Sequence, residues 1–313
     1  MLTMRHLIEN HELANKAIKQ WPLKHIESVD FFRASATMIY KIKADHKDYY
    51  LRMIPVSERK KQLIDDELAL IDYLKINKVN LVQALKSKKG PKVLYIDDHY
   101  VSLFKAVKGQ RMDQLDLHDE HVILMAKQLA NIHALTSERD DLLSRQIYDI
   151  LADFETELPW IGRERDGLIN LLFKLDSSFG IIHFDYEPDN LFYDSKTQQM
   201  HVIDFESAIK SYHMHDIYTV FEAWEDSYHL PKDKFQFFKD LFLHTYQTIN
   251  PKFIYKEAYE ALFKRVNRLV QYIHLSHCLS DIPDEDQEWM ADMVFRFGVF
   301  INYYDQAMKD KWT

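Results

Sequence analysis

Apolar positions follow a helical spacing over residues 2–19, alternate over much of 26–104, and return to a helical spacing from 119 onward. Residues 2–19 read as one amphipathic, charged helix. Residues 26–33, 37–43 and 49–54 then concentrate aromatic and β-branched side chains between polar stretches at 34–36 and 45–48, which predicts a small antiparallel meander. Ser57, just after Pro55, opens a helix through Ile76 with Leu63, Leu68, Ile71 and Leu74 on its apolar face. Residues 81–85, 93–96 and 100–104 return to strand, with turn signals at Lys88-Lys89-Gly90-Pro91 and Asp97-Asp98. Strands, one helix and more strands predict an α+β unit of about a hundred residues.

The strand signal stops near residue 105, and Gly109 offers a flexible junction. Helices are expected over 119–135, 145–156 and 163–175, with several more after Asp216. The exception is a hairpin, 191–193 with 200–203, around the polar loop 194–199. Directly before it stands Ile181-Ile182-His183-Phe184-Asp185-Tyr186-Glu187-Pro188-Asp189-Asn190, and directly after it Ile203-Asp204-Phe205-Glu206. A carboxylate and a carboxamide thus precede the hairpin and a second carboxylate follows it. Phosphoryl transfer needs such parts: a group that orients a hydroxyl, and oxygen ligands for the magnesium on nucleotide phosphates.

Composition narrows the classes. Of 313 residues 47% are hydrophobic, enough for a buried core, and only six Gly and eight Pro favour a mostly helical chain. The net charge of −9 argues against a nucleic-acid partner, which asks for a basic face. Cys278 is the one cysteine, so no internal disulfide forms and a reducing, cytoplasmic setting is expected. The amphipathic start lacks the apolar core of a signal peptide, and no apolar run reaches the ~20 residues of a membrane span. The oligomeric state is left open.

His183-x-Asp185-x-x-x-x-Asn190, the hairpin, Asp204-Phe205-Glu206 and then Asp216-Ile217 together resemble the aminoglycoside phosphotransferase/choline kinase family. The resemblance covers residues 26–221 in outline. It implies an α+β, bilobal protein-kinase-like fold: an N-terminal nucleotide-binding lobe at 1–104, a hinge at 105–110 and a helical C-terminal lobe at 111–313. It implies an ATP- and Mg2+-dependent kinase acting on the hydroxyl of a small molecule. Asp185 would orient that hydroxyl, while Asn190 and Asp204 would hold magnesium and Glu206 would assist the metal or a substrate amine. His183 and Asp216 would support the loop. Arg52 on the third strand, paired with Glu67 on the next helix, would meet the nucleotide phosphates where the family more often has Lys. The phosphate-covering turn, residues 34–37, has no glycine, so Ser35 and Thr37 would donate hydroxyls there. Met53, Leu81, Leu103 and Val202 are candidates for the base site or, more simply, for core.

On the acceptor side Glu187, Asp189, Glu206, Glu222, Glu225 and Asp226, interleaved with Tyr186, Trp224 and Tyr228, suggest an anionic pocket with aromatic walls for an amine or quaternary ammonium. His133 is expected to be packed, and Phe295, Phe297, Phe300, Tyr303 and Tyr304 to be core of a terminal helix. Two rival readings stand beside the kinase: a kinase-fold protein that binds nucleotide or ligand without transfer, and a metal-dependent hydrolase built on His183, Asp185, Asp204 and His201.

Overall fold

The computed structural model describes residues 2–35, 37–283 and 288–312. A 3₁₀ turn, Met4–Leu7, precedes helix α1 (His11–Ile18), so the single helix expected over 2–19 is split. Asn10 accounts for the break: its side-chain oxygen accepts the Leu13 N–H, and that cap starts a new helix. Strands β1 (Ile26–Ala34), β2 (Met38–Ala44) and β3 (Lys47–Pro55), helix α2 (Lys61–Ile76), and strands β4 (Gln83–Ala84), β5 (Val93–Ile96) and β6 (His99–Lys105) follow. The strands form an antiparallel sheet ordered β1-β2-β3-β6-β4, with β5 also paired to β6. Strand 81–85 shrinks to two residues, because Leu81 instead bridges to Val202 in the other lobe.

Alternation sorts the two faces of this sheet. Met38, Tyr40, Ile42 and Ala44 of β2, with Leu51 and Met53 of β3, pack against Leu13, Ala17, Ile18 and Trp21 around α1. Arg52 turns to the opposite face, where it meets Glu67 of α2. Helix α2 begins at Lys61 rather than Ser57. The intervening turn places Glu58, which accepts hydrogen bonds from Thr3 and contacts His277.

The rest of the chain is mostly helical: β7 (Gln110–Arg111), α3 (Asp119–Thr136), α4 (Ile147–Ala152), α5 (Pro159–Leu172), β8 (Phe179–Ile182), β9 (Leu191–Asp194), β10 (Gln199–Val202), β11 (Ile209–Tyr212), α6 (His213–Tyr228), α7 (Lys232–Ile249), α8 (Glu260–Cys278) and α9 (Glu288–Trp312). Helix α5 opens with Pro159 in its first turn, where the missing N–H costs nothing. The expected hairpin is β9–β10, with Leu191 opposite Val202. Two short pairings went unforeseen: β7 on β9, and β8 with β11. Gly109, expected as a flexible junction, is instead wedged in place: at φ +104° its missing Cβ would lie 2.4 Å from the Tyr193 carbonyl oxygen.

The end of α8 and the start of α9 return to the N-terminal lobe, whose core also contains Cys278 and Met290. The aromatic stripe on α9 is only partly core. Tyr304 is buried, whereas Phe295 and Tyr303 are 70% and 76% exposed. No helix among the described residues is long and apolar enough to cross a membrane.

Candidate active site

Two short pairings assemble the site. The register Leu191↔Val202 sets their flanking residues side by side, and the Ile203 N–H donates to the Asn190 carbonyl at 3.0 Å. Asn190 and Asp204, fourteen residues apart in sequence, therefore sit on neighbouring ends of one hairpin. The Asn190 amide donates to the Asp185 carbonyl at 3.0 Å and to its carboxylate at 2.9 Å. Its nitrogen is engaged, and among the described residues nothing hydrogen-bonds its oxygen. Asp204 holds a left-handed backbone, φ 64° and ψ 59°, uncommon for a residue with a side chain and often stored at functional sites.

The second pairing, β8 with β11, brings the first turn of α6 beneath the loop that follows β8. Asp216, fully buried there, accepts the backbone N–H groups of His183 and Phe184, both at 2.7 Å. Its carboxylate also accepts His133 Nε2 at 3.1 Å, and His133 Nδ1 in turn meets the Tyr246 hydroxyl at 2.6 Å. Burial and then the neighbouring His183 hold the His133 imidazole down at about 3, so this contact is a hydrogen bond from a neutral ring. His133 is thus packed, as expected, and hydrogen-bonded as well. His183 places Nε2 on the Ile203 carbonyl at 2.9 Å and Nδ1 on the Asp185 N–H at 3.3 Å. Both of its nitrogens are engaged in holding the loop, which removes the ligand on which the hydrolase reading depended.

Asp185 stands in a mostly buried, acidic setting. Burial, and next the charge of Asp189, push its carboxyl up to about 6. Burial and the charge of Asp185 likewise raise Asp204, and burial and Asp204 raise Glu206. Opposing them is Arg52, which forms a buried fork on Glu67, with Nη1 and Nη2 at 2.8 and 2.7 Å, and reaches Glu206 at 3.4 Å. Burial works against the Arg52 charge, but Glu67, helped by Glu206 and Asp204, overrides it and raises Arg52.

Arg52, Glu67 and Asp204 line a cleft between the lobes whose apolar walls are Ile39, Val82, Phe104, Val107, Phe192 and Ile203. Met53, Leu81, Leu103 and Val202 are core instead, one residue out of phase with that wall. Phe104, Lys105, Ala106 and Val107 of the expected hinge do border the cleft. Ser35 and Thr37 are not among its lining residues, contrary to expectation. The Ser35 N–H is turned inward to the Thr37 carbonyl at 3.2 Å, the Ser35 carbonyl accepts from Leu2, and Thr37 is buried. Ala36 of that turn lies outside the described residues. Sequence reasoning missed Arg33, whose Nη2 donates to Asp204 at 3.1 Å. A contact spanning 171 residues leaves no local signal.

Asp185 itself lines a second pocket of about 440 Å³, with Glu187, Glu222, Asp226, Asn267 and Arg268 among others. Burial, then Asp185 and Asp189, push Glu187 up to about 8, and nothing among the described residues hydrogen-bonds its carboxylate. Asn267 donates to Glu222 at 3.3 Å and is itself fixed by His215 at 2.6 Å. The three aromatic residues expected as walls do not line this pocket, and Phe184 does instead. Tyr186 and Trp224 are fully buried, and the Tyr228 hydroxyl donates to the Met112 carbonyl. Glu225 is also missing from the lining, while Asp189 lines the cleft instead. Asp185 thus lines the anionic pocket, and Asp204 lines the apolar cleft.

Comparison with known proteins supplies the family. No curated protein sequence matches the chain. Its fold is shared with an amicoumacin kinase solved with AMP-PNP, Ca2+ and Ami (TM-score 0.74, 16% identity, 97% of this chain and 94% of that one). It is shared too with a microcompartment-associated aminopropanol kinase (TM-score 0.64, 16% identity, 96% and 98%). A third such structure is the choline kinase LicA from Streptococcus pneumoniae (TM-score 0.62, 14% identity, 94% and 100%). The sequence model of the phosphotransferase enzyme family matches residues 33–233, a span that holds every motif residue described above, and the chain belongs to that family.

Proposed function

We propose that the protein is an ATP- and Mg2+-dependent kinase that phosphorylates the hydroxyl of a small amine-bearing alcohol. The observation that carries this reading is that Asp185, held by Asn190, lines the anionic pocket, while Asp204, the carboxylate whose charge it feels, lines the apolar cleft. The apolar cleft suits a purine, with residues 105–110 as the hinge between the lobes. The nucleotide would supply the γ-phosphoryl group, and its magnesium would neutralise charge as that group transfers. The side-chain oxygen of Asn190 and the carboxylate of Asp204 fit that ion, which takes a few hard protein oxygens and completes its shell with phosphate and water. Arg52, oriented by Glu67, would face the phosphates. Asp185 would orient the acceptor hydroxyl and take its proton, for which a carboxyl raised to about 6 is better matched than an ordinary one.

Glu187, Glu222 and Asp226 favour a cationic acceptor, and two of the similar folds are named for aminopropanol and choline. The carboxylates offer hydrogen-bond acceptors to an N–H-bearing ammonium, and Phe184 supplies an aromatic face among the lining residues. The test is transfer of label from γ-labelled ATP to 1-amino-2-propanol, ethanolamine, choline and 2-propanol. Label should pass to the amine-bearing alcohols, and Asp185→Ala should cut kcat roughly 10²- to 10⁴-fold. Full activity in that variant, or equal use of 2-propanol, contradicts the reading. The Ser35 N–H, taken by the Thr37 carbonyl, favours one alternative, a binder without transfer. Nucleotide binding without label transfer to any alcohol would select it.

A further inference from the structure

Strands β1 and β2 slip register between Phe31, opposite Tyr40, and Arg33, opposite Ile39. Two residues of β1 thus stand where β2 offers one, which makes Phe32 the extra residue of a bulge, a device that re-aims side chains beside active sites. The consequence is visible in the cleft: Phe32 and Arg33 both line it, although strict alternation would send neighbours to opposite faces.

Arg33 reaches from the N-terminal lobe to the Asp204 carboxylate at 3.1 Å, and its Nε is buried without a partner. The other arginines of the cleft have terminal nitrogens on other carboxylates, although the Arg52 Nε is unpartnered too. Arg52 has both terminal nitrogens on Glu67, and Arg111 is paired with Asp113. Beside Arg33 the sequence has no glycine at 34–37, and the Ser35 N–H is taken by the Thr37 carbonyl rather than open to a phosphate. Asp204, the one anchor of Arg33, is also the carboxylate proposed above for the metal. A dication on that carboxylate repels a guanidinium beside it, whereas phosphate oxygens offer the same fork geometry as a carboxylate.

Building on the nucleotide reading of the cleft, we infer that Arg33 is the residue that grips the nucleotide's terminal phosphates, exchanging Asp204 for phosphate oxygens when a divalent cation takes Asp204. One cation thereby takes over a task that backbone N–H groups of a glycine-rich turn perform elsewhere. The exchange breaks no covalent bond and swaps one charge-assisted pair for another.

The test is calorimetric titration of full-length wild type, Arg33→Ala and Arg33→Lys with Mg·ATP and with adenosine, together with Mn2+ alone followed by electron paramagnetic resonance. Arg33→Ala should weaken Mg·ATP roughly ten- to a hundredfold and leave adenosine within about twofold, with Arg33→Lys in between. Because the variant frees Asp204, it should also bind Mn2+ severalfold more tightly than wild type. Unchanged Mg·ATP affinity, an equal loss for adenosine, or unchanged Mn2+ affinity overturns the inference. Wild type that binds neither ATP nor adenosine overturns the nucleotide reading itself, and the inference with it.

Discussion

Arg52 shows how a single side chain joins stability to chemistry. Its guanidinium is buried against two carboxylates, and Glu67 is only 2% exposed. Such a pair is costly to break because the remaining charge stays out of water. Arg52→Ala should destabilise the fold by about 3–5 kcal/mol in urea unfolding, and a loss under ~1 kcal/mol would contradict the buried fork. Glu187 makes the opposite kind of statement. Its folded carboxyl is raised from 4.5 to about 8, so the folded state holds the proton more tightly than the unfolded one. The stability this contributes is complete below pH 4.5 and disappears as pH rises through about 8. Glu187→Gln should therefore melt at a higher temperature than wild type by a margin that opens from pH 5 to pH 8.5. A margin that stays flat across that range would sink the assignment. Asp185, Asn190 and Asp204 were legible in the sequence because their chemistry lies within twenty residues. Arg33 was not, since a bulge shifts its alternation and its partner lies across the cleft.

Among elements, the legible ones carry a long enough period to announce themselves. Helices α2 and α3 and the β9–β10 hairpin appear close to where the apolar pattern set them. The four-residue strands β8 and β11 are too short for any period, and they form by pairing with each other, with β11 also bridged to Gln146. Yet that pairing carries Asp216 under the loop, where α3 and α7 reach it through His133 and Tyr246. Asp216→Ala leaves the His183 and Phe184 N–H groups without acceptors, at ~1–3 kcal/mol each, and should lower kcat more than it raises KM. Tyr246→Phe removes one hydrogen bond and should cost only about 1 kcal/mol, seen as a small drop in Tm. A Tyr246→Phe loss as large as that of Asp216→Ala would mean the loop hangs from α7 rather than from α6.

At the scale of the molecule, the sheet lobe and the helical lobe are joined at more than the 105–110 segment. Val82 donates to Val202 across the lobes, and the α8 end brings His277 to Glu58 and Cys278 into the N-terminal core. The cleft is therefore framed on two sides, which fixes Arg52 and Arg33 above the loop that carries Asp185 and Asn190. The long contacts that do this lay outside any local pattern, so the sequence showed two kinds of structure without showing what ties them together. The central claim is that Asp185, Asn190 and Asp204 share one metal–nucleotide centre. Its most direct test is the ATP affinity of wild type and Asp204→Ala, measured with and without Mg2+ by calorimetry. Magnesium should tighten ATP binding to wild type about tenfold or more and do nothing for the variant. Equal affinity in wild type with and without the ion, or the same gain in Asp204→Ala, would contradict it.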